Sequence, residues 1–327
     1  MFVPGSYSVA LVLTISSTVL WGSWANTYKG TRGYAFELFY WDYILGVVLC
    51  TWVFALTLGS TGGAGESFLA NLRAADGSNW LQALLAGAIF NVANLLLVAA
   101  VDMAGLAVAF PLAIGIAVVE GVVLSYALQP RGSIYYLGAG VVLAIVAVLF
   151  DAQAYRALAA SGERAPASRG ILVSVVSGIL MGAFAPFVTR AMMHGHALTP
   201  YSTTALFSVG ALLCCFVVNV YFMRHPLHGK PVSFALFWRA GARNHALGVA
   251  GGIAWGLGGC LNFLAAGFLG VPISYAIGQS APLIAAAWGV CVWQEFRGAR
   301  TAAWLSLMAM FVCYLAAIGL IAAAYGN

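Results

Sequence analysis

The chain has 327 residues, of which 63% are hydrophobic and only 7% charged, with a net charge of +5. Soluble domains carry about 25% charged residues, so this composition excludes a soluble enzyme or binding module and indicates an all-α, polytopic membrane protein. The positive balance comes from loop lysines and arginines and speaks to orientation in the bilayer, not to nucleic acid.

A helix that spans the bilayer needs about 20 apolar residues at about 1.5 Å rise each. That rule predicts ten spans, at 7–28, 37–58, 80–101, 104–127, 133–151, 170–192, 200–222, 245–266, 268–292 and 301–325. The first run has no basic segment ahead of it and carries polar residues late, so it reads as a retained helix and not as a cleaved signal peptide. Tight turns near Asp102 and at Gly267–Gly270 make antiparallel hairpins of spans three and four and of spans eight and nine. Glu66–Ala75 and Ser233–Ala242 are expected to be short amphipathic helices at the interface, with rings toward lipid and arginines toward headgroups.

Ten spans put both termini on one side. Loops on that side hold Arg73, Arg131 and Arg190, whereas the other eleven basic residues lie opposite. The positive-inside rule therefore places both termini outside the cytoplasm, in a plasma or inner membrane.

The sequence also matches itself. A shift of 160 lays Gly22 over Gly182, Trp24 over Phe184 and Ser17 over Ser177. A shift of 163 matches Ala113-Ile114-Gly115 with Ala276-Ile277-Gly278, and one of 166 matches Arg131-Gly132 with Arg297-Gly298. These matches, in order along the chain, predict two homologous halves of five spans, 1–151 and 170–327, joined by a polar linker at 152–169. Because five is odd, the second half enters the membrane inverted. Inverted repeats are typical of secondary transporters, with the solute site near the bilayer midplane where the repeats meet.

Polar groups inside hydrocarbon are costly and face a bundle interior or a cavity. The stretch Trp21-Gly22-Ser23-Trp24-Ala25-Asn26-Thr27-Tyr28-Lys29 concentrates such groups late in the first span. Trp21 and Trp24 share a helix face, with Phe184 as the repeat partner of Trp24; they line a cavity or form an interfacial aromatic belt. Asn26 and Pro186 mark expected breaks in spans one and six, and Asn26 is a candidate solute-binding residue. Asn94, Tyr275, Gln279 and Ser280 stand near Gly- and Pro-interrupted runs and join the candidate solute site. Asn219 and Gln82 read as glue between helices.

Among the acids, Glu66, Asp76, Asp151 and Glu163 fall in loops or at helix ends on this reading, Glu37 caps a helix, and Glu295 pairs with Arg297 and Arg300. Asp42 and Glu120 lie inside spans and are the candidate proton carriers; a neutral, hydrogen-bonded acid or an ion pair to a distant arginine are the other readings. Cys50, Cys214, Cys215, Cys260, Cys291 and Cys313 are small apolar fillers without CxxC spacing. The five histidines make no metal-ligand pattern, and no nucleotide loop or catalytic triad is present, so no cofactor, metal or enzymatic activity is expected.

The motifs WGSWANTYK, FELFYWDYILG, IFNVANLLLVAA, VAFPLAIGIA and WQEFRGA resemble the ureide permease family, within the drug/metabolite transporter superfamily near the glucose and rhamnose porters. The resemblance covers nearly the whole chain. It implies ten helices in two inverted repeats and proton-coupled import of small neutral polar solutes, as plant members do for allantoin, uracil and oxo-purines. The linker of about eighteen residues lacks the long soluble insertion of the plant proteins. A proton-coupled sugar porter and a drug/metabolite exporter are the alternative readings on the same scaffold; the expected partners are a small solute, a proton and lipid, with the chain a monomer or homodimer.

Overall fold

Inside a bilayer each backbone N–H and C=O must be satisfied within its own segment, which leaves helices as the available solution for a chain this apolar. The computed structural model describes residues 1–61, 65–104, 106–159, 168–227 and 229–325, and every regular element among them is a helix. In chain order these are α1 (Tyr7–Ser23), α2 (Ala25–Lys29), α3 (Phe36–Leu56), α4 (Phe68–Ala74), α5 (Gly77–Ala104), α6 (Leu106–Leu128), α7 (Ile134–Ala159) and α8 (Ser168–Ala191). They continue with α9 (Pro200–Arg224), α10 (Phe234–Trp238), α11 (Ala242–Leu269), α12 (Val271–Gly278), α13 (Ala281–Cys291) and α14 (Thr301–Ala323).

Among the described residues, eight helical stretches are long and apolar enough to cross a membrane: Tyr7–Lys29, Phe36–Leu56, Gly77–Val101, Ile134–Ala157, Ser168–Ala191, Pro200–Arg224, Ala242–Leu269 and Thr301–Ala323. The expected span at 104–127 corresponds to α6, in which Leu112–Leu128 is a shorter apolar helix. The expected span at 268–292 is not continuous. It divides into α12 and α13 at Gln279 and Ser280, between Gly278 and Pro282, where the helix loses a side chain's restraint on one side and an amide donor on the other. The tight turn expected near Asp102 involves residue 105, which, with the Asp102 side chain and residues 160–167 of the linker, lies outside the described residues.

Local chemistry sets the other boundaries. Ser67 and Thr199 cap α4 and α9 through their hydroxyls, and Pro200 follows at the first helical position of α9. Gly270, at φ +88°, joins α11 to α12 in a conformation that side chains resist, and a Cβ there would also press on Arg131. At the Asn26 break the first span only tightens: Trp24 lies between α1 and α2, and Ser23, Asn26 and Thr27 turn their side chains back onto carbonyls three or four residues earlier. At Pro186 the expected break does not occur, because α8 runs through it to Ala191. Neighbouring helices can satisfy the carbonyl that a membrane proline frees.

The helices pack as a bundle in which α3 and α1 lie on α11, α5 and α6 on α8, α9 on α3 and α5, and α7 on α14. Tyr7 donates to Ala322 O at 2.7 Å and stacks on Tyr325, so the two chain ends meet at one end of the bundle. α4 and α10 are the short helices in the two segments expected to be amphipathic; Leu69, Phe234 and Trp238 are exposed, but Phe68 and Phe237, expected toward lipid, are buried against the bundle.

At two crossings the helix backbones come closest. On α3 and α11, a Cβ at Gly46 would collide with Val249 O, and one at Gly252 with Tyr43 O. On α9 and α5, a Cβ at Gly210 would collide with Leu84 O, and one at Gly87 with Phe207 O. Small residues at such seams let helices gain van der Waals contact that lipid does not supply. Gly252→Val and Gly210→Val should each destabilise the protein by about 1–3 kcal/mol through overpacking, read as a lower melting temperature in detergent. Gly138→Val, with nothing within 4 Å of its Cβ, should leave it unchanged.

Candidate functional site

Where α1, α5, α6, α8, α11 and the α12–α13 break converge, a cavity of about 110 Å³ opens. Its walls are aromatic. Phe90 and Trp255 stack with centroids 4.4 Å apart, Trp21 stacks on Trp255 at 5.8 Å, and Phe184 meets Phe90 edge-on at 5.7 Å. The Trp21 indole N–H is held by Trp255 O at 3.2 Å, which fixes the ring as a wall. Asn94 from α5 and Gln279 at the end of α12 supply amides. Asn94 donates to Tyr40 at 3.3 Å and keeps its carbonyl for another partner.

Of the residues expected at the site, Trp21, Trp24, Asn94, Phe184 and Gln279 line this one cavity. Tyr275 does not: it is buried behind Phe184, and its hydroxyl lies 3.1 Å from Ala117 O and 3.0 Å from Met181 O, pinning α12 to α6 and α8. Ser280 is fully buried at the start of α13, its hydroxyl without a partner. Asn26 lines a different cavity, where it accepts from the Trp293 indole. Phe90, Met181 and Trp255 complete the wall without having been expected there. Trp255 lies in the run GGIAWGLGG, and a lone indole between close-packing glycines is the signal that could have found it. Asn219 donates to Glu37 O at 2.9 Å, a tie between α9 and α3 of the kind expected.

The two expected proton carriers differ in setting. Asp42 is 4% exposed and fully engaged: His245 Nδ1 lies 2.9 and 3.0 Å from its oxygens, and Tyr34 donates to Oδ2 at 2.7 Å. Burial, and then the Asp42 hydrogen bond and charge, push the Tyr34 hydroxyl up, so it remains a donor. His245 sits in the first turn of α11 and was not expected to take part. Glu120 is half-buried on the seam of α6 and α8, close enough to Gly182 that a side chain at 182 would strike its Cβ at 2.8 Å. Neither ion pair among the described residues includes it.

Two other acids are not where expected. Glu295 pairs with Lys29, not with Arg297 or Arg300, because the left-handed Gln294 (φ 52°) turns the chain back so that Glu295 N reaches Gly289 O. Asp151 is not at a helix end: α7 continues to Ala159 and leaves Asp151 6% exposed inside the bundle. Among the described residues no group of three or more His, Cys, Asp or Glu could hold a metal ion.

Residues 164–324 match the family model described as Ureide permease. The chain is 22% identical to Ureide permease 1 of Arabidopsis thaliana over the whole of both chains. It is 24% identical to Ureide permease 5 of the same plant over 48% of its own length and 40% of that protein. A solved crystal structure superposes on 96% of the chain, and on 98% of its own, with TM-score 0.65 at 16% identity, a shared fold.

His245→Ala removes the partner of a buried carboxylate and should cost about 1–3 kcal/mol of stability. Adding Asp42→Asn to it should cost less than the sum of the two single changes, since the pair acts together. Melting temperatures of the three variants in detergent measure both.

Proposed function

We propose that this chain, a multi-pass membrane transporter belonging to the ureide permease family, is a proton-coupled secondary carrier that imports small, flat, neutral polar metabolites such as ureides and nucleobases. The cavity among Trp21, Trp24, Phe90, Phe184 and Trp255, with Asn94 and Gln279 on its wall, carries this reading. Ring faces hold a planar solute by stacking, and side-chain amides pair with the N–H and C=O groups along its edge. The names of the Arabidopsis relatives point to the same solutes.

In this reading the chain is two five-helix repeats, 1–151 and 170–327, with opposite insertion and the linker 152–169 between them; α6 and the divided α12–α13 complete the ten spans. The glycine crossings support it. A shift of 164 carries Gly46 to Gly210, and one of 165 carries Gly87 to Gly252, so the α3–α11 crossing maps onto the α9–α5 crossing. The same shifts exchange Tyr43 with Phe207 and Phe90 with Trp255, rings that gather at the centre. Transport follows from rocking one repeat against the other around the central cavity. Loop charge orients both termini away from the cytoplasm in a plasma or inner membrane.

Glu120 and Asp42 handle protons. Glu120 lies beside Gly182 and hence next to Met181 and Phe184 of the cavity wall, so a change in its charge alters how closely α6 packs on α8 beside the solute. Asp42 has in His245 a second titratable group with which to share a proton.

Uptake of radiolabelled allantoin, uracil and glucose into proteoliposomes tests the reading. Allantoin or uracil should accumulate only with an inward proton gradient, and Glu120→Gln should keep exchange while losing accumulation. Phe184→Ala and Trp255→Ala should each raise the half-saturating concentration about tenfold, the loss of about 1–3 kcal/mol of ring stacking. Transport of glucose alone refutes the ureide assignment in favour of a sugar porter.

A further inference from the structure

A second cavity, of about 190 Å³, lies behind α13, and the cycle described so far does not use it. Pro282 lines both this cavity and the central one, so the first turn of α13 is the wall between them. Asp151 projects into it from α7, 6% exposed, with Oδ1 lacking any hydrogen-bond partner among the described residues. A buried carboxylate without compensation costs several kcal/mol. A neutral carboxyl in the same place does not carry that cost.

A charge pair lies on the rim of the cavity. Lys29 of α2 pairs with Glu295, beyond the end of α13, and lies 4.6 Å from the Trp293 ring centroid; Tyr155 donates to the other Glu295 oxygen at 3.3 Å. The titratable and charged groups around Asp151 are therefore Lys29, Glu295 and Tyr155, together with Tyr314 on α14, whose buried hydroxyl is also unpartnered. Arg156 follows on α7 but is exposed, and Tyr126 of α6 is bonded to Gly132 O at the far end of α7. With Asp151 ionised, two carboxylates and one ammonium line the cavity; with Asp151 protonated, the lining is neutral.

We propose that Asp151 is a protonation site that gates this cavity: loading a proton on its carboxylate lets the Lys29–Glu295 closure form, and opening the closure wets the carboxylate and releases the proton. The step is a reversible transfer between water and the carboxylate, with no other bond made or broken. A single carboxylate oxygen without a hydrogen-bond partner needs no further ligand to take up a proton. Closure behind α13 also fixes the wall of the solute cavity, which ties proton loading to solute holding. The proposal rests on the transport reading and adds to it an acid and a gate.

Two measurements separate the proposal from that reading. Infrared difference spectra of the purified protein between acid and alkaline buffer should contain a protonated-carboxyl band that Asp151→Asn removes, Asp151→Glu restores and Glu120→Gln leaves in place. A band unaltered in a folded Asp151→Asn protein overturns the proposal without reference to any solute. In proteoliposomes with allantoin or uracil, Asp151→Asn should retain exchange and lose proton-driven accumulation. If the native chain accumulates the solute and Asp151→Asn does so equally, the proposal fails while the transport reading stands. If the band behaves as expected and the native chain moves neither solute, the solute assignment fails and the protonation site stands.

Discussion

Everything at the centre of this protein depends on two places where helix backbones touch. Lipid chains are as apolar as leucine, so burial of apolar surface does little to draw membrane helices together; close packing and polar ties must do it. At Gly46 with Gly252, and at Gly210 with Gly87, the missing side chains let α3 approach α11 and α9 approach α5. That approach brings Tyr43, Phe207, Phe90 and Trp255 into one ring cluster. A side chain at any of the four glycines would separate the rings and dissolve the cavity walls.

Polar groups are distributed by the same economy. Most of those at depth are tied: Asn219 to a carbonyl of α3, Asn262 to Ser274 O, Trp21 to Trp255 O, and Asp42 to His245 and Tyr34. The ties hold neighbouring helices in register. Several buried groups, among them the Ser280 and Tyr314 hydroxyls, keep an atom without a hydrogen-bond partner among the described residues; of these the Asp151 carboxylate lines the cavity behind α13, while the Gln279 amide lines the central cavity on the other side of its first turn.

Much of this could be read along the chain, because a span declares itself by length and a cavity-lining indole by its cost in lipid. The helical runs, and Trp21 and Trp24 on one cavity wall, follow from residues close together in sequence. What could not be read depends on distant partners or on a single helix boundary. The role of His245 appears only when α11 crosses α3, more than two hundred residues from Asp42. Asp151 looked terminal because the apolar run ends there, yet α7 continues through polar residues to Ala159 and buries it. Pro186 looked like a break and is not one, while the interruption between α12 and α13 depends on a glycine and a proline acting together.

That interruption has an electrical consequence. The end of α12 carries the partial negative charge of a helix C-terminus and the start of α13 the partial positive charge of an N-terminus, and they stand within a few residues of each other beside the central cavity. At the range of a whole ion the two ends nearly cancel, so net charge gains little there. Within hydrogen-bond range they differ in sign, and an uncharged molecule whose edge alternates donors and acceptors meets a matching alternation in the wall. Both signs of partial charge are thus set side by side in the wall by the backbone itself.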